Sequence, residues 1–522
     1  MNKFYTLVGY SEEKKTSVKT EIIAGIVTFL AMAYILTVNP NSILYAGTAD
    51  ARWSSLFMAT AFGAIVGTLL MAFLAKMPLA QASGMGLNSL LGGVIGGGVS
   101  AFSYGFNFTI GQAFMMVLIS GMVFFLLSVI KIKGKTFREL VFDGMPVAVR
   151  SAISVGIGLF IAYIGFQNAG IIVTNGYTQV AFVDFTKWGD QVVNYLSATG
   201  TWAAAKTAIV AFVGLFSIAI LDKLNVKGSV IIGILVATIV GIPFGVTNLK
   251  VLAGNDQISW KFWENFGNFF AGENSVFGSF TDVFTEGFPA GSLFTVIMLI
   301  ITMCMIDMFD TMGTIVGCCG GNRILSDENN KPYNYGKIMI CDAVATCSGA
   351  MLGTSTVTTF VESGAGVSAG GRTGLTAFTT ACMFFLAIFI MPVFATIPSA
   401  ATASALIYVG VLMMKNNVKN IDFNNAVNAT CAFLTIAVMV LSYSITKGIG
   451  VGMVSYVIMS SIAYVIELIK WSVTKDKNSA EPVEGEEGAE VVKAEKPVWN
   501  VSVVAIIVSV LFLVYFFVPT TL

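Results

Sequence analysis

Two aspartates, Asp307 and Asp310, stand in the apolar run IMLIITMCMIDMFDTMGTIVG at 297–317, and a glutamate, Glu362, opens the glycine-rich run ESGAGVSAGG. A charge at the centre of a bilayer costs on the order of 2.5–3.5 kcal/mol, so carboxylates inside apolar segments are functional candidates. Asp307, Asp310, Thr311 and Thr314 fall at spacings of 0, 3, 4 and 7, which predicts one polar helix face. Glu362 precedes a half-helix, whose first amides are expected to lie unpaired next to the site. Asn88, in GMGLNS, brings both a donor and an acceptor. A cleft with carboxylates, exposed peptide groups and apolar walls suits a planar neutral heterocycle. Alternatively, Asp307 and Asp310 pair within the bundle, for instance with Arg372.

Other chemistry is narrowed by what the chain lacks. It contains no histidine, which excludes an imidazole base, an imidazole metal ligand or a Ser-His-Asp triad, and leaves proton transfer to carboxylates. The seven cysteines lie mostly in apolar stretches, and the adjacent pair Cys318 and Cys319 lacks the spacing of a zinc site. GKT at 134–136 lacks the glycine that a phosphate loop requires, and GGRTG at 370–374 is a weak phosphate signal. No catalytic residue, metal or cofactor is expected.

The elements that must hold these residues are membrane helices. Of 522 residues, 56% are hydrophobic and 11% charged, with a mean hydropathy of +0.82; soluble domains carry about 25% charged residues. Lys+Arg and Asp+Glu balance at 29 each, which argues against a nucleic-acid partner. Twelve windows long enough to cross fall at about 22–38, 54–76, 111–130, 147–166, 205–221, 228–247, 293–317, 337–353, 374–395, 398–414, 427–445 and 449–470. Two more, 83–98 and 357–371, are too rich in glycine for ordinary helices and read as helices broken at mid-membrane, where protein or water must surround the irregular backbone. The count is then fourteen.

Lys14, Lys15, Lys19, Lys76, Lys131, Lys133, Lys135, Arg138, Lys223, Lys227, Arg323, Lys331, Lys337, Lys415, Lys419, Lys470 and Lys475 all fall on one side if every window crosses, with Lys447 an exception. By the positive-inside rule that side is the cytoplasm. The first twenty residues are polar and carry no signal-peptide pattern, so a cytosolic N-terminus is expected. The aromatic joint 248–292 then lies outside and reads as an interfacial helix. Residues 145–165 echo 397–415, and 225–235 echo 445–455, so seven spans repeat as seven. Because seven is odd, the second copy enters from the opposite side. Residues 475–497 are acidic and expected to be disordered, and 501–518 could cross once more.

GMGLNS at 84–89, FDTMGTIVG at 309–317 and ESGAGVSAGGRTGLTA at 362–377 resemble the signatures of the AzgA-like purine permeases of the nucleobase:cation symporter-2 family, a similarity running from about Gly9 to Lys470. The resemblance implies an all-α polytopic fold of fourteen segments in two inverted repeats, the third and tenth each joining a short strand to a half-helix. It implies a core domain (21–140 and 293–396) and a gate domain (141–250 and 397–474). The sequence itself sets off an N-terminus (1–20), an external loop (251–292) and, where the chain departs from the usual family ending, an acidic linker (475–498) and an extra C-terminal helix (499–522). Asp310 matches the family's binding carboxylate on the eighth segment, and Glu362 the one opening the tenth. Thr314 takes a position where the related uracil carriers have histidine. Gly84, Met85, Gly86, Asn88, Ser363 and Gly364 complete the implied substrate site, and Asp310, Glu362 and Asp307 the proton-coupling groups. The implied function is import of hypoxanthine, guanine or adenine with protons across the cytoplasmic membrane, by a homodimer. The competing expectations are an anion carrier of the same architecture and a membrane enzyme, the latter lacking a nucleophile-base pair.

Overall fold

The computed structural model describes residues 3–10, 14, 16–44, 50–95, 108–132, 135–136, 140, 144–175, 179–186, 192–193, 201–202, 205–226, 228–253, 258–319, 324–326, 332–478, 497–499 and 501–517. Expectations resting on Lys15, Lys133, Gly134, Arg138, Lys227, Arg323, Lys331, residues 96–98 and most of the acidic linker (479–496) lie outside the described residues.

Every one of the fourteen windows contains a helix. The first holds α1 (Val18–Met32) and α2 (Ile35–Leu44), separated by Ala33 and Tyr34. Ser17 caps α1 by accepting from the Thr20 amide at 3.1 Å. α3 (Trp53–Leu70) continues through a π turn to Ala75 and stops at Lys76, which is left-handed at φ 55°. β1 (Gln81–Ser83) and α4 (Met85–Val94) form the first broken segment. α5 (Ile110–Val129) opens with a capping box of Thr109 and Gln112. Then come α6 (Val147–Asn168), α7 (Ala205–Lys223) and α8 (Ser229–Gly241).

The second half repeats this order. α9 (Phe262–Ala271) lies in the long joint and precedes α10 (Leu293–Cys319) and α11 (Tyr335–Leu352). β2 (Val357–Thr359) and α12 (Ser363–Ser368) form the second broken segment. α13 (Gly374–Ile388) with the short α14 (Met391–Ala395), α15 (Ser399–Asn417), α16 (Ala426–Leu441) and α17 (Ile445–Asn478) complete the repeat. α18 (Val503–Phe517) is the extra helix. Among the described residues, seven helical stretches are long and apolar enough to cross a membrane, and five shorter apolar helices accompany them.

The broken segments meet in the interior. β1 and β2 pair antiparallel, Gln81 opposite Thr359 and Ser83 opposite Val357, and all six residues are buried. The ladder extends at both ends, Phe360 N donating to Ala80 O at 3.0 Å and Gly84 N to Thr356 O at 2.8 Å. This satisfies the backbone where α-helix is interrupted. α3 can pack on the pair because Gly67 has no side chain; a Cβ there would stand 2.9 Å from Val357 Cγ1 and from Gln81 Oε1.

Helix packing sorts into two groups. α13 packs on α1 and α3, α11 on α3 and α5, and α10 on α5. In the other group α15 packs on α6 and α7, α16 on α6 and α17, and α8 on α7. α6 and α15 each begin after a proline, Pro146 and Pro398, whose fixed φ suits a helix start. They cross at glycines: a Cβ on Gly410 would lie 2.5 Å from the Gly158 carbonyl oxygen. The groups touch where α10 and α4 reach α6, where α10 meets α17, and where α8 and α15 meet α1 and α2.

α9 carries its aromatic residues on two faces. Phe269 is buried, 5.3 Å from Phe62 between ring centres, while Trp263 and Phe270 are exposed. That is the amphipathic form expected of a helix lying at an interface. Short hairpins, such as Ile172–Asn175 with Gln179–Phe182, occupy other joints and were not anticipated from the sequence.

Candidate functional site

A cleft opens where the two helix groups face each other. One wall is Asp310 and Thr314 of α10, Met85 of α4, Thr359 of β2 and the turn Phe360, Val361 and Glu362; the other is Ile161 of α6 and Met413 of α15. Its space is about 20 Å³, close to the 10–15 Å³ that one water needs. Met85 and Met413 bound that space, and their unbranched side chains can give way to a larger ligand. Among its described lining residues none is cationic.

The polar stripe of α10 is real but divides. Asp310 and Thr314 line the cleft. Asp307 and Thr311 turn instead towards α11: Thr346 Oγ1 donates to Asp307 Oδ2 at 3.0 Å, and Thr311 Oγ1 to Asp342 Oδ2 at 2.8 Å. At 100° per residue the two i, i+4 pairs point to either side of the stripe's centre. Asp307 is fully buried behind the site. Arg372 pairs with neither aspartate. Its guanidinium donates to the carbonyls of Val367 and Gly371 at 2.6 and 2.7 Å, and its amide to Glu21 Oε1 at 2.9 Å. Nη1 of the GGRTG guanidinium thus serves the carbonyls beside α12.

Glu362 occupies the N-cap position of α12 and is 4% exposed. The Tyr34 hydroxyl donates to its Oε1, and its Oε2 has no partner. The expectation of free amides beside Glu362 is corrected here. Ser363 N, Gly364 N and Ala365 N donate to the carbonyls of Phe360, Val361 and Glu362 at 3.1, 3.0 and 2.9 Å, because the chain turns tightly into the half-helix. The Ser363 hydroxyl accepts from Ala80 N at 3.0 Å, so Ser363 ties the two broken segments together. Gly364 has only Cys318 Sγ near, 3.7 Å from a built Cβ. The first turn of α4, at Met85 and Gly86, is the other helix start beside the cleft, and a helix's first N–H groups have no partner within it.

Gly84 and Asn88 stand behind the cleft. A Cβ on Gly84 would meet Thr358 at 3.2 Å. Asn88 is fully buried, its Oδ1 accepts from the Ser355 hydroxyl, and its Nδ2 has no partner. Tyr34, Ile161 and Met413 were not anticipated, and Asp342 was also missed although it satisfies the rule that selected Asp310, a carboxylate inside an apolar window. Gln81 Nε2 donates to Asp342 Oδ1 at 3.1 Å, which joins β1 to α11.

Comparison with known proteins bears on what such a cleft serves. Residues 19–451 match the model of a protein family described as Permease family (Xan_ur_permease). The chain belongs to this permease family. It is therefore a transporter and an integral membrane protein. The guanine/hypoxanthine permease PbuO of Bacillus subtilis is 34% identical over 459 residues, covering 86% of this permease and 93% of that protein. The adenine permease AdeQ of Escherichia coli is 33% identical over 445 residues, covering 85% and 88%. Among solved structures, the transmembrane domain of the cyanobacterium bicarbonate transporter BicA matches with a TM-score of 0.55 at 14% identity, covering 83% of this permease and 97% of that chain. That likeness concerns the fold, which agrees with the inverted-repeat transporter architecture expected from the sequence.

Proposed function

We propose that this permease imports purine nucleobases, hypoxanthine, guanine or adenine, by proton symport across the cytoplasmic membrane, with its N-terminus in the cytosol. The observation that carries the reading is the cleft itself. Two carboxylates, Asp310 and Glu362, line one wall, and the apolar side chains of Ile161 and Met413 face them from the other helix group. A neutral base supplies N–H groups for carboxylate oxygens, carbonyl or ring-nitrogen acceptors for the amides of Met85 and Gly86, and a flat face for the apolar wall.

In this mechanism Asp310 takes a proton from outside, and the base then binds through Glu362 Oε2 and the start of α4. Residues 21–140 with 293–396 act as the core, and 141–250 with 397–474 as the gate. Relative movement of the two exposes the cleft to each side in turn, so proton and base leave together. Thr314 lines the pocket without titrating, and Asp307 supports α10 or passes a proton through Thr346. The assembly is a homodimer in the bilayer. The named relatives support the substrate class, and the carboxylates argue against the anion-carrier alternative, which would favour cationic or neutral groups.

Uptake of labelled hypoxanthine into proteoliposomes with an imposed proton gradient tests the reading. Purine recovered unchanged inside, and loss of accumulation with a protonophore, are expected. Uptake of no purine, or displacement of purine by bicarbonate or sulfate, would overturn it.

A further inference from the structure

Tyr34 lines no part of the cleft, yet its hydroxyl is the one described side-chain donor to the carboxylate at the cleft wall. It sits at the interruption between α1 and α2 and is 1% exposed. Its oxygen lies 3.5 Å from Met85 Sδ, so it touches both broken segments at the point where they meet the substrate space. Glu362 has its other oxygen, Oε2, unpartnered and is itself a lining residue.

We propose that Tyr34 is a specificity-determining positioning residue. By donating to Oε1 of Glu362 it leaves Oε2, which has no partner, as the stronger acceptor to read one N–H of the base. The inference rests on the purine reading above and deepens it.

The chemistry follows from the donor patterns of the bases. A free carboxylate accepts two parallel N–H bonds, and such forked pairs are stronger and more selective than single ones. Hypoxanthine offers one donor on its pyrimidine edge, N1–H, flanked by a carbonyl and a C–H. Guanine offers two adjacent donors, N1–H and the 2-amino group, matched to both oxygens of a carboxylate. With the phenol already donating to Oε1, that oxygen is a weaker acceptor for the amino group of guanine, so the two bases are held mainly through the same bond to Oε2. The phenol also fixes the carboxylate: a buried tyrosine has only two side-chain torsions to freeze.

The test is competition against labelled hypoxanthine in proteoliposomes, with unlabelled guanine and unlabelled hypoxanthine as competitors, for the unaltered protein and Tyr34→Phe. The unaltered protein should take the two competitors within about threefold of each other. Tyr34→Phe should shift the ratio towards guanine by roughly tenfold, the effect of one added charge-assisted hydrogen bond. A purely structural role would weaken both bases by one factor, and a ratio that moves by less than threefold overturns the inference. If Tyr34→Phe yields no folded protein, the unaltered protein decides: parity of guanine and hypoxanthine supports the inference, and a tenfold or greater preference for guanine contradicts it. An unaltered protein that takes up no purine overturns this inference together with the purine reading. Purine uptake with an unmoved ratio overturns this inference alone.

Discussion

Asp310 and Glu362 are both carboxylates at the cleft, but a proton carrier and a base clamp respond differently to a neutral isostere. Asp310→Asn keeps the shape and cannot release a proton. Accumulation against a gradient should vanish while exchange of internal for external purine survives, measured by paired uptake and counterflow in proteoliposomes. Glu362→Gln replaces an acceptor oxygen facing the base with a donor or a weaker acceptor, and losing a charge-assisted bond costs about 1.5–3 kcal/mol. Binding should therefore weaken by roughly tenfold or more, measured by calorimetry. Normal binding by Glu362→Gln would refute its role. These two residues were legible because carboxylates inside apolar runs are rare and costly. Tyr34 was not, since a tyrosine in an apolar span carries no signal until the fold brings Glu362 to its hydroxyl. Nor could spacing alone tell that Asp307 and Thr311 turn towards α11 while Asp310 and Thr314 face the cleft.

At the scale of elements, glycine carried most of the readable information. The windows 83–98 and 357–371 read as broken because glycine disfavours helix interiors; a half-helix lies in each, preceded by a strand that ends at the start of the first window and opens the second. That β1 and β2 pair with each other, 81 against 359, is a long-range contact that no local pattern encodes. For the same reason the tight turn that pairs the amides beside Glu362 was not foreseen. The close crossing of α6 and α15 gives a prediction of its own. Gly410→Val adds side-chain atoms where a single Cβ already stands 2.5 Å from the Gly158 carbonyl oxygen and 2.7 Å from Ala162 Cβ. Overpacking of this kind costs about 1–3 kcal/mol, so the melting temperature in detergent should fall. An unchanged melting temperature would mean that the crossing yields without cost.

For the whole molecule, a helical membrane protein of inverted-repeat transporter architecture was readable from window counting, while the packing of the chain beyond Lys470 was not. α18 packs on α17, with Phe512 and Phe516 within 2.6 Å of a built Cβ on Gly450 and Trp499 6.4 Å from Tyr464, so the two helices run antiparallel. None of its residues lines the cleft. A chain ending at Asn478 should keep purine uptake and lose thermal stability, checked by uptake and melting side by side; loss of uptake in a folded truncation would assign α18 a part in transport. The central claim is that one carboxylate cleft couples a purine to a proton, and the most direct measurement is hypoxanthine-driven proton entry into proteoliposomes that trap a pH-sensitive dye. Added hypoxanthine should acidify the lumen in liposomes with the unaltered protein and not in those with Asp310→Asn. Hypoxanthine entry without acidification by the unaltered protein would contradict the account.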